Sequence, residues 1–417
     1  MHIHCTNGSP IVDTLDHLPP LPLLIDYRNF LTGQDDLGIS HALRLYGRVR
    51  YLYLRLQPSI LHKCLMLMAE HFPILEDLTL ISTMDSLTPL RLPKAFLAPN
   101  IRRLTLPGIR LPKRLRLLTS TIFLVTLKLW DIQASSYFRP RLLVARLRSL
   151  PKLEELHIGF SVPIPRPSTE RELLGEQGTP VTLPNLNVLR FQGVSVYLES
   201  FIAQIRAPLL KRLDLTFFNQ IAFTLQHLCH FINITEEIKF PAVKVIFWYS
   251  SIYVTTSDIF GVEDGPFCIQ VKCGPLDWQI DCAAQICTAL YPALLVSEVE
   301  KFILDVYDRQ IPAKRLDYDI DDVTWHELLR SFVGMKELWI ETRFLEKLAR
   351  ALQMDEVGSD PGFLPDLQEI VAARNLFTSF IDTRQAVGRP VRFSPLPPPP
   401  QQPPPFAEPL ENFVGET

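Results

Sequence analysis

Residue types able to do chemistry are present in this chain, but none stands in a working pattern. His326 to Arg330 reads HELLR and begins as the zinc-protease motif H-E-x-x-H does. Arg330 occupies the position of the second histidine, so one ligand is lost and metal binding is not expected. Asp317 to Asp322 reads DYDIDD and begins like a calcium loop. Its sixth position is Asp322 rather than glycine, and its twelfth is Leu328 rather than a bidentate glutamate, which predicts a solvated acidic turn. His2, His4 and Cys5 read better as a frayed N-terminus than as metal ligands. Cys268, Cys273, Cys282 and Cys287 pair across four-residue gaps, wider than those of zinc ribbons, and their neighbours Ile269, Val271 and Ile286 predict core packing. No G-x-S-x-G, P-loop or dinucleotide glycine fingerprint occurs. The chain therefore reads as a protein without enzymatic activity, metal or cofactor.

What remains informative is the set of elements. The 417 residues allow two or three domains or one long repeat array. A hydrophobic fraction of 47% and a charged fraction of 21% suit a large core, and 36 prolines against 17 glycines predict many stiff turns. The N-terminus lacks the basic and apolar blocks of a signal peptide, and no apolar run approaches a membrane span. The seven cysteines are odd in number and scattered, as in reduced intracellular proteins. A cytoplasmic or nuclear location, with no membrane association, is expected.

The segment APNIRRLTLPG, Ala98 to Gly108, has apolar residues at Ile101, Leu104 and Leu106, spaced three then two. That spacing fits neither an amphipathic helix nor a lone alternating strand. It recurs at Leu75-Leu78-Leu80, Leu153-Leu156-Ile158, Leu186-Leu189-Phe191 and Leu210-Leu213-Leu215, each with a proline two residues ahead. Without the proline it recurs at Val49-Leu52-Leu54, Leu124-Leu127-Leu129, Val299-Phe302-Leu304 and Met335-Leu338-Ile340, and weakly at Pro365-Leu367-Ile370. Most copies start 23 to 36 residues apart. Such a period predicts an irregular leucine-rich-repeat solenoid of the α/β class, with a curved parallel sheet on its concave side and helices on its convex side. Return helices are expected in PSILHKCLMLMAEH, RPRLLVARLRSL (with Leu142, Leu143, Leu147 and Leu150 inward) and LESFIAQI. The asparagine usual after the strand of regular repeats is missing. Residues 1–17 are expected to lie outside the fold, 18–393 to form the solenoid with 216–298 irregular, and 394–417 to be a disordered tail. Within that tail PLPPPPQQPPPF predicts exposed polyproline II.

Repeat phase selects the side chains of the concave wall. Tyr51, Tyr53, Arg55, Arg103, Lys128, Trp130, His157, Arg190, Arg212 and Trp339 are candidate partner-binding residues, because arginine and aromatic side chains dominate interfaces. For each, an ordinary surface role is the competing reading. From Arg91 to Lys152 fourteen basic residues face one acid, Asp131, leaving this span at +13 and the rest of the chain at -16. Arg102, Arg110, Lys113, Arg114 and Arg116 are expected to form a basic sector. It would attract an acidic or phosphorylated protein, or be a solvated face, or dock against the acidic Asp305–Asp322 region. A polyanion-binding protein is the alternative function, although no groove-reading motif accompanies the charge and nucleic acid is not the expected partner.

The ordered segments LPPLPLLIDYR (Leu18 to Arg28), RVRYLYLRLQPSILHK, FPILEDLTL, LPKAFLAPNIRRLTL and LDWQI resemble fungal F-box-like leucine-rich-repeat proteins, from about Leu18 to Phe393. The resemblance implies a target-binding scaffold of a ubiquitin-ligase adaptor, whose F-box would recruit a Skp1-type protein. Only 17 residues precede Leu18 and no LP-x-E-I start appears, so a Skp1-type partner is expected only if an F-box is supplied.

Overall fold

A computed structural model of the chain describes residues 3–6, 20–28, 37–83, 90–110, 116–164, 180–220, 222–235, 238, 241–257, 264–273, 276–296, 299–306, 322–353 and 363–396. The protein is of the α/β class, built on one mostly parallel sheet that has sixteen strands among the described residues, with helices in most of the connections between them. The first half of the sheet runs in chain order through β1 (Ile3–Thr6), β2 (Leu23–Arg28), β3 (Val49–Leu56), β4 (Asp77–Ser82), β5 (Arg103–Thr105), β6 (Thr126–Ile132), β7 (Glu155–Phe160), β9 (Val188–Gly193) and β11 (Arg212–Phe218). β8 (Val181–Thr182) and β10 (Ile205–Arg206) form a separate parallel pair.

The three-then-two spacing has one structural meaning throughout. Every residue of the nine full copies of the frame, together with Leu367 and Ile370, is at most 7% exposed. Val49 is already the first residue of β3, and Leu106 directly follows β5. In most copies the last two apolar residues point inward from a strand, and the first enters the core from a turn just before it. That turn is closed by the amide of the first apolar residue donating three residues back: Leu75 to Phe72, Ile101 to Ala98, Leu153 to Leu150, Leu186 to Leu183, Leu210 to Ala207 and Leu367 to Leu364. The repeated proline is therefore the second residue of the turn itself. Its fixed φ suits that position and its missing N–H is not needed there.

Helices cover the leucine side. Pro58 and Pro140 start the helices Pro58–Leu67 and Pro140–Leu147 at the first helical position. In the second of these Leu143 and Leu147 are buried as expected, but Leu142 is 39% exposed and Val144 takes the inward place. One core cluster runs from Leu23 to Val391 through both layers. Aromatic members of this core group around Tyr197, Phe160 and Phe191 and around Phe247, Trp325 and Phe344, and pair at Phe72–Phe96 and Phe302–Phe332.

The irregular region is a change of strand order. From β11 the chain passes over two strand positions to lay down β12 (Ala242–Phe247). It then turns back as β13 (Ser251–Ser257) and returns as β14 (Asp264–Lys272) beside β11. β13 is antiparallel to both neighbours, while β12 pairs in parallel with β15 (Lys301–Val306). Leaving β14 for β15 again means crossing three strand spacings, and the helix Leu276–Val296 makes that crossing with 21 residues. At about 1.5 Å per residue it has roughly 31 Å of length available. β16 (Glu337–Ile340), β17 (Glu369–Ala372) and β18 (Arg392–Pro395) complete the sheet in order.

Both ends of the sheet extend beyond the expected bounds. Ile3–Thr6 pairs in parallel with Leu23–Asp26, so part of residues 1–17 belongs to the sheet and His4 and Cys5 are strand residues. Ser394 and Pro395, expected in the tail, pair with Val371 and Ala372. The remainder of the predicted polyproline stretch, from Pro397 onward, lies outside the described residues, as does most of the acidic turn Asp317–Asp322. Asp322 itself opens the helix Asp322–Arg330, in which Trp325, Leu328 and Leu329 are buried and His326 stacks on Phe363 at 4.1 Å. Among the described residues no helix is long and apolar enough to cross a membrane.

Candidate recognition surface

The sheet face opposite the leucines collects the side chains that alternate with them. Strand register sets Asp26, Tyr53, Thr79, Thr105, Lys128, His157, Arg190 and Asp214 in one row across eight strands. The same row continues through Cys268, Thr255, Lys244 and Ile303 to Trp339. Tyr51, Asp77, Arg103, Thr126, Glu155, Val188 and Arg212 form the next row. The register thus brings eight of the ten candidate partner-binding residues onto two adjacent lines. Arg55 lies one step further along β3, beside Arg28 and Ile81.

Trp130 is displaced from the rows by a bulge. Between Leu129 and Ile132 the register against β7 slips by one residue, and Asp131 adopts a positive φ of 55°. An extra residue of this kind re-aims the side chain beside it. Gly159 on the neighbouring strand leaves room, because a Cβ there would lie 3.2 Å from Trp130 Cβ.

Each cation of the two rows meets a carboxylate on its own or an adjacent strand. Arg103 Nε is 2.6 Å from Asp77 Oδ2, with Arg103 63% exposed and Asp77 12%. Arg190 and Arg212 both reach Asp214, at 2.9 and 2.8 Å. Lys128 Nζ lies 3.0 Å and His157 Nε2 2.8 Å from the same oxygen of Glu155. Arg28 pairs with Asp26 and stands 4.7 Å over the ring of Tyr53. Lys301 sits 3.7 Å over the ring of Trp339, whose indole N–H donates to Glu337. Opposite charges thus stand within reach both along and across the strands, which cross-strand pairing rewards.

Protonation follows from these contacts. Burial works to raise the Glu155 carboxyl, but the hydrogen bonds and charges of His157 and Lys128 outweigh it and bring it down to about 2. Burial lowers the His157 imidazole against the pull of Glu155, and Arg190 and Lys128 lower it further. The hydrogen bond and charge of Asp77 raise the Arg103 guanidinium. Burial, then the charges of Asp77 and Asp26, raise Tyr51. The face is therefore a wall of neutralised pairs interleaved with aromatic rings. A depression of about 250 Å³ opens in it between Leu24, Arg50, Tyr51, Glu76, Asp77 and Arg103.

The described basic-sector residues, Arg102, Arg110 and Arg116, are not joined by register in the same way. Arg102 is exposed in the turn before β5. Arg110 follows that strand in a bridge with Arg91, and burial followed by the charge of Arg91 lowers its guanidinium. Arg116 begins the helix Arg116–Ser120, while Lys113 and Arg114 lie outside the described residues. Arg141 and Arg148 are exposed at the helix Pro140–Leu147, on the other layer from Arg103 and Lys128.

Two features escaped the sequence reading. The open face extends onto β2 and onto the inserted strands, where Gln270 donates to Tyr253 Oη at 2.8 Å and Lys244 pairs with Asp305 at 2.8 Å. Alternation in LLIDYR and AVKVIF carried that signal. Asparagines also link repeats, from the turn before the strand: Asn100 and Asn185 donate to Pro73 O and Pro151 O at 2.7 and 2.8 Å. The buried thiols Cys273, Cys282 and Cys287 pack in the core, whereas Cys268 is half-buried on the open face. Among the described residues no group of three or more His, Cys, Asp or Glu is placed to hold a metal ion. No protein-family model matches the chain, and no curated protein matches it.

Proposed function

We propose that the chain is an irregular leucine-rich-repeat solenoid that works as a protein-recognition scaffold, its open sheet face presented to a protein partner. The observation that carries this reading is the pair of register rows, in which Tyr51, Tyr53, Arg103, Arg190, Arg212 and Trp339 share one rigid face. A sheet backed by a continuous core presents side chains with little entropy left to lose on binding, and arginine and aromatic residues make the most of that. Resemblance to fungal F-box-like proteins points to the target-binding part of a ubiquitin-ligase adaptor, with a Skp1-type protein joining where an F-box is supplied.

The partner fitted to this face has its own mixed charges. Arg103, Lys128, Arg190 and Arg212 already meet carboxylates, so a polyanion would have to compete with Asp77, Glu155 and Asp214. That weighs against the nucleic-acid alternative.

The test is proximity labelling in the source cells with the native chain and with a Tyr51→Ala/Tyr53→Ala/Trp339→Ala chain of unchanged circular dichroism. A partner recovered by the first and lost by the second supports the reading. Identical recovery by both chains refutes it.

A further inference from the structure

The hairpin between β12 and β13 gathers aromatic side chains that the recognition rows do not use. Trp248 N–H donates to Ser251 O at 2.9 Å and closes a two-residue turn, whose tip, Tyr249, is 58% exposed. Trp248 packs on Tyr253 with ring centroids 5.9 Å apart. Gln279 Nε2 donates to Trp248 O at 2.8 Å and ties the first turn of the helix Leu276–Val296 to the hairpin. That turn carries Trp278, 53% exposed. Aromatic rings this large are rarely left in water at one place without a use.

The same end of the sheet is where the chain leaves it. β12, β15, β16, β17 and β18 are all parallel, so the hairpin follows the end of β12 as Leu396 follows the end of β18. Leu396 is still held there, its amide donating to Ala372 O at 3.2 Å. Four strand spacings separate β12 from β18, about 19 Å at roughly 4.8 Å each. Beyond Leu396 the sequence reads PPPPQQPPP, Pro397 to Pro405. A polyproline II segment rises about 3.1 Å per residue, so these nine residues span roughly 28 Å. Reaching the hairpin uses about six of them and leaves about three, one polyproline turn, to lie across the rings.

The chemistry also matches. Polyproline II leaves its carbonyls without internal partners and presents flat pyrrolidine rings, which aromatic grooves accept between their faces. Fixed φ angles mean that little backbone freedom is lost on docking.

We propose that the exposed rings of Tyr249 and Trp278, which the Gln279–Trp248 bond holds to one end of the sheet, form with Trp248 a docking site for this chain's own proline segment, Pro397–Pro405. Tethering favours this occupant over a proline-rich segment of another molecule, because a short linker holds it at an effective concentration on the order of millimolar. The inference stands apart from what the open face recognises.

The full chain labelled with 5-fluorotryptophan tests it, since five tryptophans give five fluorine resonances. Trp248→Phe and Trp278→Phe identify two of them. A second full-length chain carries serine at each proline of 397–400 and 403–405. The Trp248 and Trp278 resonances are expected to differ between native and serine chains while the other three coincide. A synthetic peptide of residues 395–406 is expected to restore the native positions in the serine chain, and Tyr249→Ala/Trp278→Ala to abolish that response. Coincident Trp248 and Trp278 resonances in the two chains overturn the proposal. So does a peptide response as large in the native chain, because the site would then be open, or a native shift that vanishes on dilution, because the tail would then come from another copy.

Discussion

Replacing Glu155 by Gln isolates the electrostatics of the open face. The carboxylate sits between Lys128 and His157, with the three side chains 25%, 19% and 9% exposed. Its folded value of about 2 lies below the unfolded 4.5, so the folded chain holds that proton less tightly. The stabilisation is complete above pH 4.5 and is lost as pH falls towards 2. At about 1.4 kcal/mol per pH unit that interval is worth about 3 kcal/mol. His157 acts in a higher window. Its depressed imidazole refuses a proton that the unfolded chain accepts, so stability also declines as pH drops below 6.5. Glu155→Gln is therefore expected to cost about 1–3 kcal/mol at pH 7, a deficit that narrows below pH 4.5 and closes as pH falls through about 2. A sixteen-strand sheet need not unfold in one step, so the readout should be local: hydrogen exchange of the β6 and β7 amides across this pH range. A deficit that is absent at pH 7, or that stays constant down to pH 2, would refute the ion-pair account.

Other perturbations probe other levels. Leu104→Ala empties a fully buried site of the repeated frame and should cost about 2–5 kcal/mol in urea unfolding, against a near-neutral Met66→Ala on the surface. Glu199, 1% exposed, accepts the amides of His227 and Leu228 at 2.8 and 2.9 Å and so caps the helix Gln226–Asn233 from a neighbouring helix. Glu199→Ala orphans both donors and should lower stability by about 2–4 kcal/mol, with accelerated exchange at those two amides. At Gly265 a Cβ would lie 2.2 Å from Thr256 Oγ1 and 2.8 Å from Thr256 O, a backbone atom that cannot swing away. Gly265→Ala should thus cost about 1–3 kcal/mol in thermal unfolding, while Gly47→Ala, with nothing within 4 Å, should not destabilise.

Much of the architecture was legible because the frame is local. Ile101, Leu104 and Leu106 are spaced by the geometry of one turn and one strand, so each copy announces its own strand and inward face. Alternation then placed Tyr51, Tyr53 and Arg103 on the opposite face without knowledge of their neighbours. The insertion was legible only as extra strands. That β12 lies beside β15 and not β11 depends on which edge each strand finds after a crossover, and no residue of AVKVIF encodes that choice. The Trp130 bulge was hidden for a similar reason, since register belongs to a pair of strands.

The charge of the surface marks the division most clearly. Sequence by itself determined that strands of this spacing bury their leucines and turn arginine, lysine and tyrosine outward, because side-chain alternation is a property of one strand. It also showed a span of +13 from Arg91 to Lys152. Only the tertiary structure decided what that charge meets. Register set Arg103 beside Asp77 and Lys128 beside Glu155, and the chain's fold carried Arg141 and Arg148 to the helical layer. Coulomb interactions fall with distance in space and ignore distance along the chain. Of the fourteen positive residues in that run, Arg103 and Lys128 therefore became halves of neutral pairs once neighbouring strands brought Asp77 and Glu155 to 3 Å or less from them.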